Sequence, residues 1–145
     1  QVWVLPMRNH TDGEIIINTV NAMFKRPAVS GETHLLNEKQ FKLLKQGIDF
    51  YKLTRTEIPK LIPFYPCGAV NFEDEVVVCG YKGEGHSYIC IENLSDTDRE
   101  ITVPLMDYTD ATCVYPTEGG IKTEIAADVL KVHIHKKSAA IIKTV

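Results

Sequence analysis

Apolar positions recur at two different periods along this chain, and the switch falls near Pro66. Before it they return about every 3.6 residues, the repeat of a helix face; after it they alternate, the repeat of a strand with one wet side. Over Asp12 to Lys25, the residues Ile15, Ile16, Thr19, Val20, Met23 and Phe24 make a broad apolar stripe. Asp12 is placed to cap this helix and Pro27 to stop it. After a short connector from Ala28 to Glu32, a second helix starts at Asn37, a good N-cap with Gln40 three residues on in the capping-box position. Phe41, Leu44, Ile48 and Tyr51 fall on one face, and Lys39, Lys42 and Gln46 on the other. Pro59 cannot donate a helical hydrogen bond, so this helix ends near Glu57, and Pro63 and Pro66 stiffen Ile58 to Cys67 into an extended connector.

From Glu75 onward, short runs rich in β-branched residues are separated by turn chemistry. The pattern predicts strands over Val76–Tyr81, Ser87–Glu92, Glu100–Pro104, Ala111–Tyr115, Ile121–Ala126, Val129–His135 and Ala139–Thr144. Among the intervening turns are Lys82 to His86, Asn93 to Asp96, Asp107 to Asp110 and Thr117 to Gly120. Leu130 to His135 alternates strictly, as expected where one face is buried and the other wet. The fold class is therefore α+β: two helices in a segment spanning 1–66, then an antiparallel β-sandwich spanning 67–145. Two helices bury too little surface to stand as a domain. The stripe containing Ile15, Ile16, Val20 and Phe24 is thus expected to lie bare, and to drive self-association unless a preceding domain covers it. The apolar hexapeptide Gln1 to Pro6 has nothing local to cover it and is expected to belong to a larger fold.

The composition is that of a folded protein: of 145 residues, 44% are hydrophobic and 24% charged. A net charge of -3 gives no electrostatic case for nucleic acid or an anionic membrane, and no apolar run reaches the roughly 18 to 20 residues that span a bilayer. Cys67, Cys79, Cys90 and Cys113 show no metal-binding spacing. Cys79, Cys90 and Cys113 sit in apolar runs and read as buried free thiols, with a cross-strand Cys79–Cys90 disulfide as the lesser alternative. Asn9-His10-Thr11 and Asn93-Leu94-Ser95 have the form of glycosylation acceptors, meaningful only in a secreted eukaryotic protein.

Catalytic groups are harder to find. His133 and His135 share a strand face at a period of two and could present two imidazoles to a metal, but no cysteine or carboxylate in the same run completes a ligand set. With Lys131 on that face, a solvated polar surface is the simpler reading. His86 reads as a hairpin-tip residue, and His10 and His34 as surface positions. Glu73/Asp74/Glu75, Asp96/Asp98 and Asp107/Asp110 lie in turns, where aspartate commonly bonds its own backbone. Glycosidase chemistry instead needs two carboxylates converging across a cleft, one with a raised pKa. No Gly-x-Ser-x-Gly elbow is present. Tyr81, Tyr88, Tyr108 and Tyr115 would stack on sugar rings if they lined one face, but tyrosine in strands more often packs. The sequence assigns no catalytic, cofactor-binding or metal residue.

The order of elements carries a resemblance. Asn21 to Gly31, with its helix end and Ser30-Gly31 step, resembles the last barrel segment of retaining α-galactosidases and their relatives, glycoside hydrolase clan D. Leu36 to Gln40, followed by Leu44 to Lys52 with its Tyr51-Lys52 pair, looks like that family's final helix. The β half, down to Ser138 to Ile142, looks like its C-terminal antiparallel domain. The resemblance implies the end of a (β/α)8 barrel and double displacement at an anomeric carbon by two aspartates. The nucleophile would follow a lysine-aromatic pair upstream of this segment. No Lys-Tyr-Asp or Lys-Trp-Asp occurs here, so neither aspartate is carried over to a position of this chain. The implied role is an accessory region, inactive alone, whose partner is a preceding barrel domain. Two alternatives remain: a free-standing carbohydrate-binding β-sandwich, with carbohydrate as its partner, and the tail of an amylase-like barrel enzyme.

Overall fold

A computed structural model describes residues 1–104, 108–119 and 121–145, and its layers follow from which faces each element buries. Helix α1 (Asp12–Met23) is capped by Thr11, not Asp12. The Glu14 N–H donates to the Thr11 hydroxyl at 3.3 Å and the Thr11 N–H donates to the Glu14 carboxylate at 2.7 Å, a reciprocal capping box. Asp12 is thereby free to pair with Lys39 at 2.6 Å. Helix α2 (Glu38–Thr54) starts as expected, with the Asn37–Gln40 box intact. Its deeply buried face runs through Gln40, Leu43, Leu44, Gly47, Phe50 and Thr54, whereas Phe41 is 54% exposed. The face expected from Phe41, Leu44, Ile48 and Tyr51 is thus rotated, because Gly47 and Thr54 escape an apolar count yet are buried, Gly47 at a close approach to α1. A Cβ at Gly47 would collide with the methyl of Thr19 on α1.

The expected strands appear as β4 (Val76–Lys82), β5 (Ser87–Asn93), β6 (Arg99–Pro104), β7 (Ala111–Tyr115), β8 (Lys122–Ala126), β9 (Val129–Ile134) and β10 (Ser138–Thr144). Preceding them are three short strands: β1 (Val2–Val4), β2 (Pro27–Val29) and β3 (Ile62–Phe64), the last occupying part of the expected connector. One sheet runs β3-β4-β5-β10-β7, another β6-β9-β8, and every pairing within them is antiparallel. The inner faces of these sheets enclose one core: Val78, Ile89, Ile91, Ala140 and Ile142 meet Ile101, Val103, Leu130, Val132 and Ile134.

The five-stranded sheet is covered on its other face too. Tyr88, Cys90, Tyr115, Ala139 and Ile141 pack against Ile15, Ile16, Val20, Met23, Phe24, Leu44 and Phe50 of the helical layer. The result is three layers, helices on sheet on sheet. Double coverage explains why every residue of β5 is buried, while β9 alternates. It also corrects an expectation. The α1 stripe is not bare: Ile15, Ile16, Val20 and Phe24 are all at most 7% exposed, because the sheet's own outer face supplies their partner. This stripe is therefore not a surface through which copies could associate. Contact is tight enough that a Cβ at Gly13 would strike the Lys137 carbonyl in the β9–β10 turn.

Candidate functional site

Two regions differ from this closed architecture, and the first is the pair β1–β2. These strands run parallel, with Val2, Trp3 and Val4 opposite Pro27, Ala28 and Val29, and α1 forms the crossover between them. Among the described residues neither strand pairs with any other, so both edges of a parallel sheet stand open. One face is covered: Val4 is 1% exposed and lies with Met23, Leu44, Ile48 and Tyr51 around a small apolar hollow of about 140 Å³. On the alternate face Trp3 is 55% and Leu5 45% exposed. Parallel sheets are ordinarily covered on both faces. Beyond the strands the backbones stay linked, with Ser30 N–H donating to the Val4 carbonyl at 3.0 Å and Glu32 N–H to the Pro6 carbonyl at 2.9 Å. Gly31 sits between these bonds at φ 104° with the Pro6 carbonyl against it, a position that excludes a side chain.

The second region is a His–Asp cluster on the three-stranded sheet. Asp98, just ahead of β6, places Oδ2 3.0 Å from His135 Nδ1 and 3.8 Å from His133 Nε2. The carboxylate that the β9 run lacks comes from a neighbouring loop, which strand spacing alone could not reveal. Buried Asn93 holds that loop: its side-chain amide donates to the Thr97 carbonyl at 2.8 Å and to the His135 carbonyl at 3.2 Å. At 0% exposure Asn93 is also no glycosylation acceptor. Hydrogen bonds from Lys136 N–H and His135 hold the Asp98 carboxyl below the usual carboxylate range.

His86 is not an idle hairpin tip. The loop folds back so that its Nε2 lies 3.3 Å from Glu57, while Tyr88 donates to the same carboxylate at 2.6 Å. That hydrogen bond stabilises the neutral phenol, and with burial as the larger cause it raises the Tyr88 pKa. The other candidates are taken up by structure. Asp74 accepts from Asn71 N–H, Glu75 pairs with Arg99 at 2.7 Å, Asp96 with Lys137 at 3.5 Å, and Asp110 accepts from Ala111 N–H. Asp107 and Gly120 lie outside the described residues. His10 accepts from Met7 N–H, and His34 is exposed.

A cleft of about 740 Å³ beside α2 holds Asp49, Glu57 and Tyr88. Its Asp49 is kept below the ordinary range, chiefly by the hydrogen bond from Lys45. Among the described residues Glu92 is the carboxyl raised above its ordinary value, by burial, and it faces Asn21 of α1 rather than this cleft.

The four tyrosines form no sugar platform. Tyr115 and Tyr88 are core residues, Tyr81 stacks on Phe24 at 4.3 Å, and Tyr108 bonds Ser87. All four cysteines are free thiols. Cys79 and Cys90 face each other across β4–β5, Cys90 and Cys113 are raised by burial (Cys113 to about 11), and Cys67 is exposed.

Solved structures similar to this chain include parts of glycoside hydrolases. A GH27 β-L-arabinopyranosidase from Geobacillus stearothermophilus matches 94% of this chain with a TM-score of 0.62 and 16% identity. An α-amylase from Geobacillus thermoleovorans matches 94% with a TM-score of 0.66 and 9% identity, and a GH30 endoxylanase from Clostridium papyrosolvens 98% with 0.52 and 10%. This chain has the fold of their C-terminal region. It spans 31%, 34% and 41% of the respective enzymes. No protein-family model matches the chain, and no curated protein does.

Proposed function

We propose that this chain is the C-terminal region of an α-galactosidase-like glycoside hydrolase. Residues 1–66 would form the last part of a (β/α)8 barrel, except for β3, which joins the sheet of the accessory β domain that residues 67–145 form against it. The observation that carries this reading is the parallel pair β1–β2 with α1 as its crossover and α2 behind it. A strand–helix–strand–helix run with open edges is two units of such a barrel, and Trp3 and Leu5 lie on the face that barrel packing would cover. The carboxyl ends of both strands lead into the segments around Arg8 and Ser30 to Glu32, tied together by Arg8 N–H donating to Glu32 at 3.2 Å. Barrel active sites sit at that rim, so these segments would border the substrate cleft while the catalytic aspartates come from earlier strands.

Reading the coding sequence upstream of Gln1 tests this first. Barrel strands carrying a lysine-aromatic-aspartate motif are expected, and an upstream sequence without them overturns the proposal. The joined protein should hydrolyse an aryl α-galactoside, and residues 1–145 alone should not; turnover by the isolated chain would equally overturn it. The higher TM-score of the α-amylase supports a second reading, the end of an amylase-like barrel enzyme. Hydrolysis of an aryl α-glucoside in place of the galactoside would decide for it.

A further inference from the structure

The Asp98–His133–His135 cluster is used by nothing above. His133, on the wet face of β9, and His135, directly after the strand, alternate with buried Val132 and Ile134. Asp98 arrives from a loop pinned by the Asn93 side chain, and Lys136 N–H donates to its Oδ1 at 2.9 Å, leaving Oδ2 turned toward the two rings. One donor atom from each of the three residues lies within 4.8 Å of the others. We propose that Asp98, His133 and His135 form a binding site for a divalent transition cation of the zinc class, with the remaining coordination positions open to water or an external carboxylate.

Spacing and donor chemistry both support this. A four-coordinate cation with nitrogen and oxygen bonds of about 2.0–2.1 Å holds its ligand atoms about 3.3 Å apart. The Asp98–His135 and Asp98–His133 separations of 3.0 and 3.8 Å straddle that value, and all three donor atoms lie within 4.8 Å of one another, so side-chain adjustment without backbone movement would close them on a metal. Two imidazoles and one carboxylate suit zinc, nickel or copper; calcium and magnesium prefer oxygen-only shells. The Lys136 N–H on Oδ1 supplies the outer hydrogen bond that orients a ligating carboxylate. Surrounding charge is balanced: Lys122 and Glu100 flank His133 across the sheet, and Glu124 stands opposite Lys131. Donor side chains 45–54% exposed give the ion a direct path from solvent.

The site joins the β5–β6 loop to β9, so a bound ion would cross-link two segments of the β domain. Because it would bind the folded form alone, it should raise the melting temperature in proportion to the logarithm of free metal. Zinc titration of the full chain by calorimetry tests the proposal, beside thermal melts and the variants His133→Ala, His135→Ala and Asp98→Asn. One equivalent is expected to bind with a rise in Tm. Each variant should keep the wild-type far-ultraviolet spectrum and weaken binding at least about tenfold, since even an outer partner commonly contributes that much. Cys67→Ser and His10→Ala should bind as the parent does. Absence of binding heat overturns the site, as does binding that survives the three substitutions or disappears with Cys67→Ser.

Discussion

The five-stranded sheet and the two-stranded pair β1–β2 are both rich in apolar residues, yet one is finished and the other is not. In the larger sheet β5 and β10 are paired on both edges and covered on both faces, and Ile91, Ile141 and Ile142 are wholly buried. In the pair β1–β2, both edges are open and one face carries a half-exposed tryptophan. The difference separates what this chain completes for itself from what it leaves open. A free two-stranded sheet is marginal in water at best, so β1–β2 holds its shape through the helices behind it.

The largest effects should fall where coverage is double. Ile141→Ala opens a cavity between α1 and the sheet and is expected to lower stability by about 2–5 kcal/mol. At this chain length that is a fall in Tm of about 2–4 °C per kcal/mol, read by calorimetry. Native-state amide exchange should rank the same way, with β5 and β10 amides opening only on global unfolding and β1–β2 amides opening locally. Equal protection in the two sheets would erase the contrast.

Next in size is the seam between helices. Gly47→Ala pushes a methyl against Thr19 and is expected to cost about 1–3 kcal/mol by overpacking, although alanine is the better helix former. Denaturant midpoints of Gly47→Ala and of Gly47→Ala with Thr19→Ser separate the two terms, because the second change removes the clashing methyl and should restore part of the loss.

These residues also show how much was legible in the chain. Strand positions from Val76 onward could be read because β-branched runs and turn residues punctuate them, and the Asn37–Gln40 cap because its chemistry is local. The bearing of the helices could not be read. Nothing in the spacing of Ile15 to Phe24 says that its partner is the outer face of this chain's own sheet, since β5 and β10 show no alternation marking one side as wet. The metal-type cluster was half visible: the period of two puts His133 and His135 on one side of the chain at the end of β9, whereas Asp98 enters through a fold of the loop held by Asn93. The Glu57–His86–Tyr88 contact left no local signal at all, because it joins the end of α2 to a hairpin 29 residues away.

A smaller effect of opposite sign is expected at Glu92, on the helix-facing side of β5. Burial raises its pKa in the folded state, so the ionised carboxylate opposes folding. That cost is fully present above the folded pKa and is relieved as pH falls through it, so stability from this group rises on mild acidification. Glu92→Gln should therefore stabilise the chain at neutral pH and flatten that part of the pH profile. The Asn21 side chain can still donate to the new carbonyl. A variant less stable than the parent at neutral pH would mean that the Asn21 hydrogen bond and the Lys25 charge outweigh desolvation here.

The smallest stability effect should come from the residue that matters most to the proposed function. Trp3 and Val4 are neighbours on β1, one 55% and the other 1% exposed. Val4→Ala removes a buried methyl pair from the helical core, whereas Trp3→Ser is expected to change stability by no more than about 0.5 kcal/mol, as surface substitutions do. Trp3 is also the single tryptophan of the chain. Its fluorescence therefore reports that one face alone. In the isolated chain, emission should be that of a solvated indole, readily quenched by iodide. Joined to the barrel segments proposed to precede it, the same indole should shift to the blue and lose its access to quencher, because a packed barrel interior leaves no room for water around it. Unchanged emission in the joined protein would mean that the open face of β1–β2 points to solvent by design, and that the part it resembles in glycoside hydrolases serves some other assembly here.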